Sequence, residues 1–491
     1  MFNTVLLSII AACLFYCIIS LKYNRRIKKL ADFLPLSSER PHVKNREEFS
    51  TTTVAYTISL ATVIVAIFEL FPYMRLWLFW TVITTYFGLI LVRTFIRKIW
   101  KKMNSFKKRP SLHEFLGTEF GSDRLTMIAA TCTCLGFMGA LAVEITVGSK
   151  FLGSLVPNTP PLFWVVLIAL FVLGYVGVGG YRAVVVTERI QMYSIYGFLT
   201  ALTVFLIFVA LHTGFGSVKS DLGWPPHDLL PNDVGVISFL LGIFFINVPA
   251  YVADMSVWQR IGGCDDEKIA TQGLRSGAIG SAVSWSWIVI LAFATVLLVS
   301  NPEQKNPLFV VLQQIEQKGA FNQIILAVMV IGLLGAALST ASTQLIAAAH
   351  AIYEDIVCKL RPIPNEDQEY REIRFLRLLM VILTILTVAI IEELSRLGFT
   401  IADLVFSIFG SELSLCPPVI LCLFKSGKSL HSIRYWIIAA ISLGFAVGWS
   451  TAIFGKLENL PNLVFLAPVV SLGLSLFFVL VGYLIIRRRS D

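Results

Sequence analysis

Four hydroxyl side chains fall within five residues of one apolar segment: Ser339, Thr340, Ser342 and Thr343, in the run Gly335-Ala336-Ala337-Leu338-Ser339-Thr340-Ala341-Ser342-Thr343-Gln344. On a helix Ala336, Ser339, Thr340 and Thr343 share one face, and Ser339, Ser342 and Thr343 define an adjacent one. Uncharged hard oxygens, at a depth where the backbone must supply further oxygens, suit a small alkali cation. Small residues in this pattern also let helices pack closely. Spacing alone leaves both readings open.

A second set of residues resists an otherwise apolar background. Charge inside a membrane span is costly, so it marks a site, an internal pair or a position near the interface. Glu69, Glu144, Glu188, Asp254, Asp403 and Glu412 are such charges. Glu69 and Asp403 are expected near the outer interface. Glu144 lies beside Gly136, Gly139 and Gly148, and Glu412 follows Gly410-Ser411 and precedes Cys416-Pro417-Pro418. Two stretches read as broken helices. In Gly242 to Tyr251, Pro249 removes a backbone donor and Asn247 offers a polar side chain. In Ser59 to Ala66 there is no Gly or Pro, only small and β-branched residues. Breaks at corresponding positions of two halves mark inverted-repeat secondary transporters, with the solute site between them. Glu69, Glu144, Asn247, Tyr251 and Glu412 are therefore the candidates for lining a solute cavity.

The elements that must position these residues are membrane helices. The chain has 491 residues, of which 56% are hydrophobic and 14% charged, against roughly 25% charged in a soluble domain. Apolar runs near twenty residues recur within 4–21, 51–212, 234–424 and 434–486, about thirteen in all. The run 4–21 has its positive charges after it, so it reads as an uncleaved helix with the N-terminus outside. Basic residues then cluster on alternate connections (Arg97 to Arg109, Arg260 and Lys268, Lys359 to Arg377, Arg487 to Arg489). The other connections carry scattered, balanced charge, and the C-terminus falls inside. The net charge of +9 is thus a matter of orientation and calls for no nucleic-acid partner. The connection 98–123 reads as amphipathic, with Leu112, Phe115 and Leu116 on the membrane surface. The longest polar connection, 354–372, contains Pro362 and Pro364. There is no P-loop and no Cys/His cluster with metal spacing. An enzyme or an ATP-driven pump is not expected, nor is an organic cofactor.

Gly179-Gly180-Tyr181-Arg182-Ala183-Val184-Val185-Val186-Thr187-Glu188-Arg189-Ile190-Gln191 resembles the G-G-x-x-A-V-x-x-T-D-x-x-Q signature of the sodium/solute symporter family, which includes bacterial proline, sialic acid and galactose symporters. Leu338 to Leu345 is similar to the family's hydroxyl-rich eighth core helix, and Tyr353-Glu354-Asp355-Ile356 to its end. Trp258-Gln259-Arg260 and Ser111-Leu112-His113-Glu114-Phe115-Leu116-Gly117 match two further landmarks. The resemblance runs from about Ser59 to Lys425.

It implies an all-α polytopic fold of LeuT type: two inverted five-helix repeats (51–212 and 234–424), one extra helix before them and two after them (434–486). It implies sodium as coupling ion, held by the backbone oxygens of Thr62, Val65 and Ala336 and the hydroxyls of Ser339 and Thr340, with Ala61 and Ile64 as the neighbouring register. A second sodium would use Glu188, where the family usually has Asp, with Ser339, Ser342 and Thr343. The expected function is sodium-coupled symport of a small organic solute across the plasma (inner) membrane by alternating access. Ala66, Ile67 and Phe68 replace the family's polar solute-facing residues, which disfavours a sugar. The carboxylates Glu144 and Glu412 instead could neutralise an amine-bearing solute, pair with each other or carry a coupling proton. A proton-coupled carrier and a transporter-like sensor with a separate signalling partner are the alternatives.

Overall fold

The computed structural model describes residues 2–35, 42–106, 108–156, 159–213, 234–299, 306–316, 319–361, 369–396 and 401–490. Pro362 and Pro364 lie outside the described residues. In chain order the α-helices begin with α1 (Phe2–Asn24) and the short α2 (Leu30–Phe33). The first repeat then runs through α3 (Arg46–Thr57), α4 (Ala66–Met74), α5 (Phe79–Met103), α6 (Leu112–Glu119), α7 (Asp123–Leu155) and α8 (Pro161–Thr213). The second comprises α9 (Val234–Asn247), α10 (Ala250–Ala253), α11 (Met255–Gly262), α12 (Glu267–Leu298), α13 (Pro307–Glu316), α14 (Ala320–Ile352), α15 (Cys358–Leu360), α16 (Glu369–Arg396), α17 (Ile401–Glu412) and α18 (Cys416–Phe424). The chain closes with α19 (Arg434–Leu457) and α20 (Pro461–Ser490).

Among the described residues, eleven helices are long and apolar enough to cross a membrane. This is an integral, multi-pass membrane protein. Leu14, Ile207, Ile385 and Leu484 are each more than half exposed, an apolar exterior that suits lipid rather than water. The innermost helices are α7, α14 and the α17–α18 pair; α14 packs along both α8 and α7.

The Gly179-Gly180 pair explains how α8 is shaped. Gly180 has φ 62° and ψ −170°, a region open essentially to glycine alone. It therefore divides the long α8 into two spans. A Cβ on Gly179 would lie 2.6 Å from Ser20 Oγ, and one on Gly180 3.1 Å from Phe33. The pair thus lets α1 and α2 seat against the bend. Ser20 donates to the carbonyl of Tyr175 (2.5 Å) across that contact. Two residues on, Arg182 forks onto Glu48 at 2.8 and 3.1 Å, which ties α8 to the start of α3.

Both expected helix breaks are present. The first falls between α3 and α4. Ile58 leaves the helix (φ −109°, ψ 82°), Ser59 is extended, and a π-helical turn over Leu60–Val65 leads into α4. No Gly or Pro is needed, because Ser59 Oγ accepts from the Thr62 N–H at 2.8 Å and so supplies a local alternative to the helical ladder. The second break separates α9 from α11. Pro249 starts it and Asp254 completes it (φ −78°, ψ 117°), and Trp258 Nε1 donates to the freed carbonyl of Val252 (2.8 Å).

Candidate functional site

Each break carries its own carboxylate. Ser59 donates its hydroxyl to Glu144, and the Ala61 N–H donates to the same carboxylate at 3.3 Å. Glu144 is 1% exposed, so this side chain of α7 serves as the buried cap of the second half of the first broken helix. At the other break Asp254 accepts from the N–H groups of Ser256 (2.6 Å) and Val257 (3.3 Å) and from the hydroxyl of Tyr56. The positive end of the second half of each broken helix is therefore met by a side chain of the protein itself.

The hydroxyl-rich run lies where α14 crosses the end of α3. Ser339 Oγ donates to Ala336 O at 2.9 Å and lies 3.2 Å from Ala55 O. Thr340 Oγ1 is 3.5 Å from Ala336 O. Tyr175 donates to Leu338 O (2.9 Å), holding this turn of α14 against α8. Ala336 and Ser339 thus meet the first broken helix at the end of α3. The oxygen facing Ser339 is that of Ala55. Val65 O instead accepts from the Asn306 side chain (3.1 Å), and Thr62 is engaged with Ser59 (2.7 Å between their hydroxyls). The physical reason is the location of the break. The end of α3 reaches α14 at Ala55, whose oxygen also accepts from the Ile58 N–H at 3.4 Å, while Val65 closes the π-helical turn that follows the break.

Glu188, Thr343 and Arg260 form a third, fully buried group. Arg260 donates to Glu188 at 2.7 Å and lies 3.3 Å from Thr343 Oγ1, while Thr343 donates to Glu188. The guanidinium also stacks 4.4 Å from the Tyr56 ring centroid. Ser342 donates to Ser339 O (3.1 Å) and stays apart from the carboxylate. Of the hydroxyls named for a second cation, Thr343 alone bonds Glu188, whose charge is already matched by an arginine.

A cavity opens between the two breaks. It is lined by Asn247, Tyr251 and Glu412 from the expected set, and by Thr62 and Thr340. Glu69 and Glu144 are not among its walls. Glu69 sits beside Lys150 and Asp403, and Asp403 pairs with Lys456 at 2.9 Å. Asn247 Nδ2 donates to Thr84 Oγ1 (3.1 Å), which fixes the loosened segment against α5. Three features escaped the sequence: Tyr56 in the wall, Asp254 as a cap, and the contact of Gly136 with the wall residue Glu412. At the last, a Cβ on Gly136 would fall 1.7 Å from Glu412 Oε1, a packing that no local pattern of residues announces. A buried cluster also joins two of the resembling segments. Ser111 donates to Asp355 (2.5 Å), Asp355 contacts His113 Nδ1 (2.8 Å), and His113 Nε2 faces Thr133 (2.9 Å). The serine hydroxyl is spent on the aspartate rather than on the histidine, so no nucleophile–base pair is formed. The cluster locks α6 to the end of α14.

Two opposed broken helices beside a hydroxyl-rich helix, within an all-α bundle, define the LeuT-type fold of secondary transporters. Three solved structures share it. One is a Na+-coupled sialic acid symporter in a substrate-bound outward-open state, with TM-score 0.73 and 17% identity, covering 98% of this chain and 98% of that one. Another is Mhp1, a nucleobase-cation-symport-1 family transporter in a closed conformation (TM-score 0.56, 13% identity, 93% and 95% covered). The third is MhsT in complex with L-phenylalanine (TM-score 0.55, 15% identity, 89% and 97% covered). At these identities the likeness is one of fold. No profile of a known sequence family matches the chain, and no curated protein does.

Proposed function

We propose that this protein is a sodium-coupled symporter that carries a small organic solute across the plasma membrane by alternating access. The observation that carries the reading is that Ser339 Oγ lies between Ala336 O on its own helix and Ala55 O near the end of α3, with Thr340 Oγ1 on the same α14 carbonyl. The proposed ligand set is the carbonyl oxygens of Ala55 and Ala336 with the hydroxyls of Ser339 and Thr340. Here the Ser339 hydroxyl donates to Ala336 O, with Ala55 O 3.2 Å away. A sodium ion brings oxygens together in the same way, and turning that hydroxyl outward frees both for the cation.

Such a site joins α3 to α14 and so couples ion binding to the relative position of two elements. Coupling requires that sodium bind one arrangement more tightly than another, since equal affinity shifts nothing. The ion would favour the arrangement in which the α3 end and α14 are close, and solute would then enter the cavity between the breaks. The second set, around Glu188, is proposed to hold Arg260 in place of a second ion. The test is a thermal-shift screen of the purified protein against small solutes with and without sodium. A stabilising solute whose effect requires sodium supports symport. A solute effect that depends on pH and ignores sodium supports proton coupling, and binding without flux in vesicles supports a sensor.

A further inference from the structure

The sign of the solute can be read from which charges around the cavity are already matched. Two of the three carboxylates near it are satisfied internally. Glu144 takes the Ser59 hydroxyl and the Ala61 N–H. Asp254 takes two N–H groups and the Tyr56 hydroxyl. These bonds have a second consequence. The N-terminus of a broken half-helix is the natural seat for an anionic group of a solute, and here both such seats are filled by the protein's own acids.

Glu412 is different. It lines the cavity, yet its Oε1 is sealed from water with no hydrogen-bond partner among the described residues. Its carboxyl is pressed against the bare backbone of Gly136, where a Cβ would lie 1.7 Å from Oε1. A carboxylate held there is costly unless a cation or a proton meets it. None of the described residues lining the cavity is Lys, Arg or His, and the nearby Arg260 is turned onto Glu188. Beside the polar Thr62, Asn247, Thr340 and Gln344, the wall carries the rings of Phe137, Phe239, Tyr251, Trp285 and Phe406, whose faces attract an organic cation.

We propose that the cavity binds an amine-bearing cation with an apolar body, its ammonium on Glu412 and its body among the aromatic rings. This rests on the transport reading above, and binding is measured separately from flux so that the two can fail independently. Gly136 would act as the positioning residue that gives the Glu412 carboxyl its place.

The test uses the full-length purified protein and a fixed panel: 2-phenylethylamine, phenyltrimethylammonium, the neutral 2-phenylethanol and the anion phenylacetate. Thermal shift and displacement binding are read with and without sodium. The expected result is stabilisation by the two cations alone, with affinity weakened about thirtyfold or more in Glu412→Gln. Glu412→Asp, which keeps the charge, should retain part of the binding. Stabilisation by phenylacetate, equal binding of a cation by wild type and Glu412→Gln, or no response to either cation would each overturn the proposal. Binding that follows Glu412 as expected, with no uptake in vesicles, would keep the cation site and sink transport.

Discussion

Ser59 donates its hydroxyl to Glu144, and this bond joins the break in the first core helix to the neighbouring helix α7. Residues 85 apart in sequence thus meet at a point where the backbone has no helical partners of its own. The consequence is that a glutamate, rather than a Gly or Pro, holds the break in place.

Glu144→Ala would leave the Ala61 N–H without this acceptor and the Ser59 hydroxyl with Thr62 Oγ1 in its place. An orphaned buried donor costs ~1–3 kcal/mol, so the variant should unfold at clearly lower temperature in detergent. Glu144→Gln keeps one acceptor oxygen and should lose less. Equal unfolding temperatures for wild type and Glu144→Ala would show that the cap contributes nothing.

The Arg260–Glu188 pair at 2.7 Å makes a sharper prediction. Removing one partner of a buried pair costs roughly 3–5 kcal/mol, whereas replacing both with apolar residues is often neutral. Arg260→Met should therefore be strongly destabilising, and Arg260→Met with Glu188→Leu should recover most of the loss in a double-mutant cycle. In Arg260→Ala the bared Glu188 and Thr343 should gain sensitivity to sodium, seen as a steeper rise of unfolding temperature with sodium than in wild type. An unchanged slope would count against the guanidinium standing in for an ion.

A pH effect is expected from His42, in the connection ahead of α3. Burial, reinforced by the nearby Arg182 charge, lowers its pKa from 6.5 to about 4. The unfolded chain therefore binds a proton that the folded one refuses between those values. Stability should fall as pH drops from about 6.5 toward about 4, by ~3 kcal/mol at most from this group. His42→Phe should flatten that part of the profile. An identical profile in the variant would assign the effect elsewhere.

Much of this was legible in the chain. Hydropathy marks the apolar spans, and Pro249 marks the second break. Gly179-Gly180 stood out as part of a signature, and the structure adds that Gly180 makes the bend of α8. The hydroxyl run was readable by type and spacing, as were Asn247, Tyr251 and Glu412 as cavity residues. What stayed hidden was register and partnership. Ile58 carries no sign that the helix ends there, because the cause lies in Ser59 and in the carboxylate of Glu144 from another helix. Nor does any local pattern set Arg260 against Glu188, or Glu412 against Gly136. Those pairs are made by packing, and their members are far apart in sequence.

The central claim is a sodium site between α3 and α14. Binding of radioactive sodium to the purified protein tests it most directly, in wild type, Ser339→Ala, Thr340→Ala and Thr62→Ala. Loss of a ligand oxygen should weaken sodium about tenfold in Ser339→Ala and Thr340→Ala, equivalent to ~1.4 kcal/mol. Thr62→Ala, whose hydroxyl faces Ser59, should bind sodium as wild type does. Undiminished sodium binding in the Ser339→Ala, Thr340→Ala double variant would contradict the account.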